Sequence, residues 1–208
     1  MIAIVDYGVG NLFSLRSSFA AIGAEACVTG DAEKILAADR VVLPGVGAFG
    51  DAAALLKGTG LDETVREAAR AGKPLLGICL GMQLLLEQSL EYGTHAGLGL
   101  VPGTVRPIRP MIPAEYKVPH IGWNALCFSE DKPVHPLFSR IRPGDCVYFV
   151  HSYYADSPDE AIIARAEYGP LLTAAVARDN VMGVQFHPEK SGEVGLSILR
   201  TFLQNTSM

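Results

Sequence analysis

The residues best suited to chemistry are one thiol and, far downstream, one imidazole beside a carboxylate. Cys79 lies in PLLGICLGMQ, Pro74 to Gln83, between two glycines in an otherwise mostly aliphatic run. A strand that ends in G-x-C-x-G and turns at once into a helix has the layout of a nucleophile elbow, with cysteine in the serine's place. In so sharp a turn the side chains two before and two after the nucleophile would collide, which accounts for Gly77 and Gly81. The N–H of Leu80 then falls at the helix N-terminus, where it can donate to a developing oxyanion, and the helix dipole there lowers the thiol pKa. The competing reading is a structural thiol in a close-packed strand, since free cysteine is among the most buried residue types.

A cysteine nucleophile needs a base to take its proton and return it to the leaving group, and that base needs a third group to fix its tautomer. GVQFHPEKSG supplies both, with His187 as base and Glu189 as orienter. Pro188 biases His187 toward an extended backbone, and residues two apart in an extended chain point to the same side. The bland alternative is a surface loop with Glu189 and Lys190 in solvent. A third motif, LPGVGAFGDA, spells G-x-G-x-x-G through Gly45, Gly47 and Gly50. A dinucleotide site also requires an acidic residue closing a second strand about 20 residues on. Here that distance falls on Glu63 and Glu67, inside the helical-looking DETVREAARAG. The glycines are better used in a loop whose N–H groups line a small pocket, with the Val46 N–H facing that of Leu80, or simply in an ordinary βα connection. Among the other histidines, His95, His120 and His135 have loop-like neighbours and read as structural or solvated. His151 follows an apolar strand and is placed to line a pocket.

These groups must be positioned by a sheet. IAIVDY, the Leu12, Leu15, Phe19, Ile22 repeat, EACVTG, a short helix and RVVLP alternate as βαβ units, which means a parallel sheet. LDETVREAARAGK reads as a helix and PLLGIC as a strand buried on both faces, followed directly by a helix over LGMQLLLEQSLEYG. From Gly97 the texture changes to short strands broken by Pro and Gly, including GTVRPIRP, CVYFVHSYYA, AIIARAEYG and LLTAAVARDNVMGVQFHP. Asp179-Asn180 marks a hairpin tip in the last of these, so this half is antiparallel or mixed. A last helix, about Gly192 to Gln204, follows Ser191 as N-cap and buries Val194, Ile198, Leu199 and Phe202.

Composition excludes other classes. The 208 residues are 49% hydrophobic and 19% charged with a net charge of −5, which suits one compact α/β domain and leaves no basic patch for nucleic acid. MIAIVDYGVGN lacks a charged region ahead of a signal-length apolar one, and the longest apolar run, Leu75 to Leu86, is too short to span a bilayer. A cytoplasmic location is therefore expected. Cys27, Cys79, Cys127 and Cys146 show neither zinc nor disulfide spacing, which fits a reducing compartment.

Together GICLGMQ, QFHPEKS and LPGVGAFGD resemble the triad-type, class I glutamine amidotransferases, which hydrolyse glutamine through a cysteine thioester and pass the ammonia to a partner. DYGVGNLFSL, GLGLVPG at 97–103, PHIGWN at 119–124 and YFVHSYY at 148–154 narrow the resemblance to the glutaminase subunits of histidine biosynthesis, and it extends from Asp6 to Gly192. It implies a single domain over 1–208, an α/β three-layer fold with a central, mostly parallel or mixed sheet flanked by helices, of flavodoxin-like type. On the same ground Cys79 would be the nucleophile, His187 the acid/base and Glu189 its orienter, with backbone N–H groups of Val46 and Leu80 as the oxyanion hole. Gly47, Gln83, Glu91, His151, Ser152 and Tyr153 would surround the bound glutamine. Asn11, Trp123, Tyr148 and Lys190 would face a cyclase subunit, a (β/α)8 barrel absent from this chain, in a heterodimer. No metal or organic cofactor is implied. The alternatives are the glutaminase partner of pyridoxal phosphate synthase, a cysteine hydrolase of related fold, and an interaction module with an inert thiol.

Overall fold

The structure is a computed structural model that describes residues 1–204. The expected alternation fills the first part: β1 (Ile2–Val5), α1 (Leu12–Ala21), β2 (Ala26–Thr29), α2 (Ala32–Ala37) and β3 (Arg40–Leu43). The helices α3 (Phe49–Gly58) and α4 (Leu61–Arg70) follow, then β4 (Leu75–Ile78) and the short α5 (Leu80–Leu84). The strand-rich part holds β5 (Gln88–Ser89), β6 (His95–Ala96), β7 (Thr104–Pro107), β8 (His120–Cys127) and β9 (Cys146–His151). It continues through β10 (Tyr153–Asp156), β11 (Ile162–Glu167), β12 (Leu171–Arg178) and β13 (Val181–Val184) to α6 (Gly192–Gln204).

The middle layer is a nine-stranded sheet in the order β2-β1-β3-β4-β13-β12-β11-β8-β9. Neighbours run parallel from β2 to β13 and antiparallel from β13 to β9. The parallel part has the flavodoxin-like order. Within it β1, β3, β4 and β13 are buried on both faces, as their nearly unbroken apolar runs require, while β2 at the edge is only partly buried. Strand alternation divides their side chains between two apolar layers. Ala3, Val5, Val41, Leu43 and Leu75 pack with Ile35 of α2, Phe49 and Leu56 of α3, Val65 of α4 and Leu80 of α5. Ile2, Ile4, Val42, Leu76 and Ile78 pack with Leu15 and Phe19 of α1 and with Ile198, Leu199 and Phe202 of α6. A second sheet, β10-β7-β5-β6, adds Val105 and Ala155 to the first layer.

Three local expectations are revised. The helix after Cys79 does not run to Gly93 but stops at Leu84. The Gly97–Val101 segment folds back and its N–H groups occupy the carbonyls of Leu84, Leu85 and Leu86, which another helical turn would have needed. CVYFVHSYYA is not one strand: it breaks at Ser152, β9 staying in the large sheet and β10 joining the small one. Ser191 precedes α6, but its hydroxyl donates to the His187 carbonyl and accepts from the Tyr148 N–H, so it ties the loop instead of capping the helix. The β12–β13 hairpin forms as read, with Asp179 at φ 52° in its turn.

The turn from β4 to α5 is packed backbone against backbone. A Cβ built on Gly77 would lie 2.8 Å from the carbonyl carbon and oxygen of Gly81, and one on Gly81 only 1.9 Å from the Leu43 carbonyl oxygen. Backbone cannot retreat as a flexible side chain can, so Gly81→Ala is expected to lower stability by about 2–3 kcal/mol. Gly58, at the open end of α3, has nothing within 4 Å of such a Cβ, and Gly58→Ala should raise stability by about 0.5 kcal/mol. Urea unfolding midpoints measure both; a Gly81→Ala midpoint equal to the parent's would contradict this account of the turn.

Candidate active site

The Cys79 backbone sits at φ 54°, ψ −112°, in a region that residues with a Cβ rarely adopt. That torsion lifts the side chain off the end of β4 at the first residue after the strand, while the Cys79 N–H still donates to the Val184 carbonyl at 2.8 Å. Leu80 is the first residue of α5, so its N–H has no partner within the helix. Cys79 is buried but not sealed, 8% exposed.

His187 follows β13, the strand next to β4, and parallel pairing of Val184 with Ile78 brings it beside the elbow. Its backbone is held on both sides: its N–H donates to the Tyr148 carbonyl at 2.9 Å, and its carbonyl accepts from the Ser191 hydroxyl at 2.6 Å. The backbone is extended, and Nδ1 lies 2.8 Å from Glu189 Oε1. Both side chains are 3% exposed. Burial by itself pushes the imidazole down, but hydrogen bonds to Cys79 and Glu189 and the charges on both raise it to about 9. The imidazole named from the sequence thus lies between the thiol and the carboxylate, and its charged form is favoured by both.

A cavity of about 300 Å3 opens at the thiol. Val46, Gly47, Leu80, Gln83 and Glu91 line it on one side, His151, Ser152, Tyr153 and His187 on the other, with Pro119 and Val150 completing the wall. Every residue expected around a ligand is therefore at the cavity. Glu91 does a structural job as well: its Oε2 accepts the Phe49 N–H at 2.6 Å, at the positive end of α3, which anchors the segment carrying Val46 and Gly47. Tyr7 holds that segment from below, its buried hydroxyl donating to the Pro44 carbonyl at 2.8 Å. Burial, and next the charge of Cys79, push this phenol well up, so it stays a donor.

His151 is lowered to about 4, chiefly by burial, and is neutral near pH 7. Its Nδ1 lies 2.8 Å from the Tyr153 carbonyl and its Nε2 3.0 Å from His120 Nδ1. His120 is not in a loop: it opens β8, stacks on Tyr168 at 3.9 Å between ring centroids and is buried, a structural histidine behind the pocket wall. Trp123 and Tyr148 are register partners on β8 and β9, with ring centroids 5.8 Å apart, and Lys190 Nζ lies 5.8 Å above the Tyr148 ring. Trp123 is 56% exposed, so these three make a surface patch. Asn11 stands apart from them in sequence, just ahead of α1, with no side-chain hydrogen bond to that helix.

Sequence reasoning passed over Gln185 and Tyr7. Gln185 is completely buried, with Nε2 3.7 Å from Cys79 Sγ. Its signal was available, because strand alternation puts residue 185 on the same side as His187. Nothing local marks Tyr7; its partner comes from a different strand–loop unit.

The model of the family described as glutamine amidotransferase class-I matches residues 3–206. The imidazole glycerol phosphate synthase subunit HisH of Methanothermobacter thermautotrophicus is 51% identical over 207 residues, covering 98% of each chain. That of Bacillus cereus is 50% identical over 202 residues, covering 97% of this chain and 93% of the relative. Among solved structures, one described as a glutamine amidotransferase superposes with a TM-score of 0.74 at 19% identity, covering 98% of both chains. PurLQS from Thermotoga maritima also gives 0.74, at 21% identity, covering 97% of this chain and 96% of that one. The last two speak for the fold alone; with the family match over nearly the whole length, the chain belongs to the class I glutamine amidotransferases.

Proposed function

We propose that this chain is the glutaminase subunit of imidazole glycerol phosphate synthase, releasing ammonia from glutamine for a cyclase subunit with a (β/α)8 barrel. The observation that carries the chemistry is the thiol lifted into the cavity by the strained turn beside an imidazole held by a buried carboxylate. Relatives about 50% identical over nearly the whole length support the assignment to this synthase. A place in the cytoplasm accords with that pathway, and no described helix is long and apolar enough to cross a membrane.

In this reading Cys79 passes its proton to His187 and the thiolate attacks the carboxamide carbon of glutamine. The C–S bond forms as the carbonyl oxygen becomes an oxyanion, which takes N–H donors from Leu80 and Val46. His187 returns the proton to the departing nitrogen, the C–N bond breaks, and ammonia leaves a γ-glutamyl thioester on Cys79. Water, deprotonated by His187, then cleaves the thioester to give glutamate and the free thiol. Glu189 holds the imidazole in the tautomer that faces sulfur and offsets its positive charge. Gly47, Gln83, Glu91, His151, Ser152 and Tyr153 shape the glutamine pocket. Trp123, Tyr148 and Lys190, with Asn11, form the face for the cyclase, since aromatic groups that are half exposed are typical anchors of such contacts.

Assayed with its cyclase partner and acceptor nucleotide, Cys79→Ala should lose glutamine hydrolysis by roughly 10³-fold or more while the cyclase still uses added ammonium salt; retained hydrolysis overturns the reading. The pH profile should fall as pH rises through about 9, where the His187 imidazolium loses the proton that the leaving nitrogen needs. Glu189→Gln keeps an acceptor for Nδ1 but removes the carboxylate charge that helps raise His187, so this limb should move to lower pH, and an unmoved limb would assign it to another group. Trp123→Ala should weaken cyclase binding by about 2 kcal/mol, roughly 30-fold in Kd by calorimetry, with the fold intact; unchanged affinity would move the interface elsewhere.

A further inference from the structure

Gln185 follows β13, is completely buried, and has its backbone N–H on the Ala174 carbonyl at 2.8 Å. Its side chain spans the gap between the thiol and α5: Nε2 lies 3.7 Å from Cys79 Sγ, and Oε1 accepts from Gln83 Nε2 at 2.9 Å. Gln83 Nε2 also donates to the Tyr153 backbone carbonyl at 3.3 Å. The oxygen and nitrogen of an amide have nearly the same shape, so the hydrogen-bond network must decide which faces which partner. Here it allows one answer. The Tyr153 carbonyl can only accept, so Gln83 turns its NH2 toward it. The same NH2 faces Gln185, which must therefore present oxygen. That leaves the Gln185 NH2 directed at sulfur. Both hydrogens of Gln83 are used, and the chain of donors ends on Cys79.

We propose that Gln185 is a catalytic residue whose side-chain N–H donates to the Cys79 sulfur and stabilises its thiolate over its thiol. An N–H dipole aimed at a charge-bearing sulfur favours the ionised form, and it counts for more in a site closed to water. Another polar neighbour of sulfur is the Val150 carbonyl at 4.0 Å, which can only accept and so serves the protonated thiol, whereas the Gln185 amide is a donor that serves the thiolate. Because the amide orientation is dictated from the Tyr153 carbonyl, the pocket wall and the nucleophile are joined through Gln83. Displacement of that carbonyl would release both amides to turn and withdraw the donor from sulfur. The assignment rests on Cys79 being the nucleophile.

The test is the ionisation of Cys79 in the full chain, read by mass spectrometry of the Cys79 peptide as the rate of iodoacetamide alkylation against pH. Gln185→Glu keeps the shape but replaces the donor with a carboxylate oxygen, and Gln185→Met keeps the volume with no donor. Both should move the alkylation midpoint up by about one pH unit or more, and lower kcat for glutamine at neutral pH roughly tenfold or more in the complex with the cyclase. A folded Gln185→Met chain with unchanged midpoint and kcat overturns the proposal. A wild-type measurement covers the case in which neither variant folds. The 15N-resolved side-chain amide protons of Gln185 should shift across the Cys79 titration, and resonances that stay still overturn the proposal on their own. These readouts follow the thiol itself, so they separate from the assignment of Cys79 as nucleophile: glutamine hydrolysis retained in Cys79→Ala would refute that assignment while the alkylation midpoint still decides whether the donor is there.

Discussion

The structure depends on one backbone torsion, the positive φ of Cys79 between β4 and α5. For a residue with a Cβ such a conformation costs about 1–3 kcal/mol and persists only when its surroundings over-determine it. Here they do. The N–H is bound by the Val184 carbonyl, the carbonyl by the Gln83 N–H at 3.2 Å, and Leu80, Met82 and Leu84 are buried immediately beyond. Gly77 and Gly81 remove the side chains that would block the turn, while Gly183 gives Met82 the room it occupies on the neighbouring strand. An ordinary strand end would leave the thiol in the sheet.

The parallel pairing of β4 with β13 converts that local strain into a site. Strands that enter the sheet side by side also leave it side by side, so the loop after β13 emerges against the elbow. Its position is set by backbone bonds to β9 and by Ser191, so the imidazole does not depend on Glu189 alone for its orientation. The loop after β3, tethered by Tyr7 and by Glu91 at the start of α3, closes the third side. Rigid elements thus deliver each group, consistent with the position of ligand sites at the carboxyl ends of strands in open α/β sheets.

Polar groups inside this region form directional chains. Gln185, Gln83 and Tyr153 make one, which ends at the carbonyl of Tyr153, where His151 Nδ1 also donates. Buried amides and imidazoles without partners would each be costly. Pairing through the Tyr153 carbonyl joins Gln185, Gln83 and His151, so that a change at one member is felt by the others.

Much of this was present in local pattern. Continuous apolar runs marked β1, β3 and β4, the acidic first turn and Gly72 marked α4, and G-x-C-x-G with H-P-E named the thiol, imidazole and carboxylate, because strand burial, helix ends and tight turns act over a few neighbouring residues. The end of α5 at Leu84 was hidden, since the N–H groups that terminate it belong to residues 97–101. Ser191 looked like a helix cap because its sequence neighbours are helical, whereas its hydrogen-bond partners are Tyr148 and His187. Tyr7 and Gln185 owe their positions to contacts with Pro44 and Cys79, remote in the chain. The sequence by itself determined which elements form and which residues have the chemistry. Only the tertiary structure decided which amide faces the sulfur and which carbonyls hold the histidine, because those choices are made by hydrogen-bond partners that chain order does not place together.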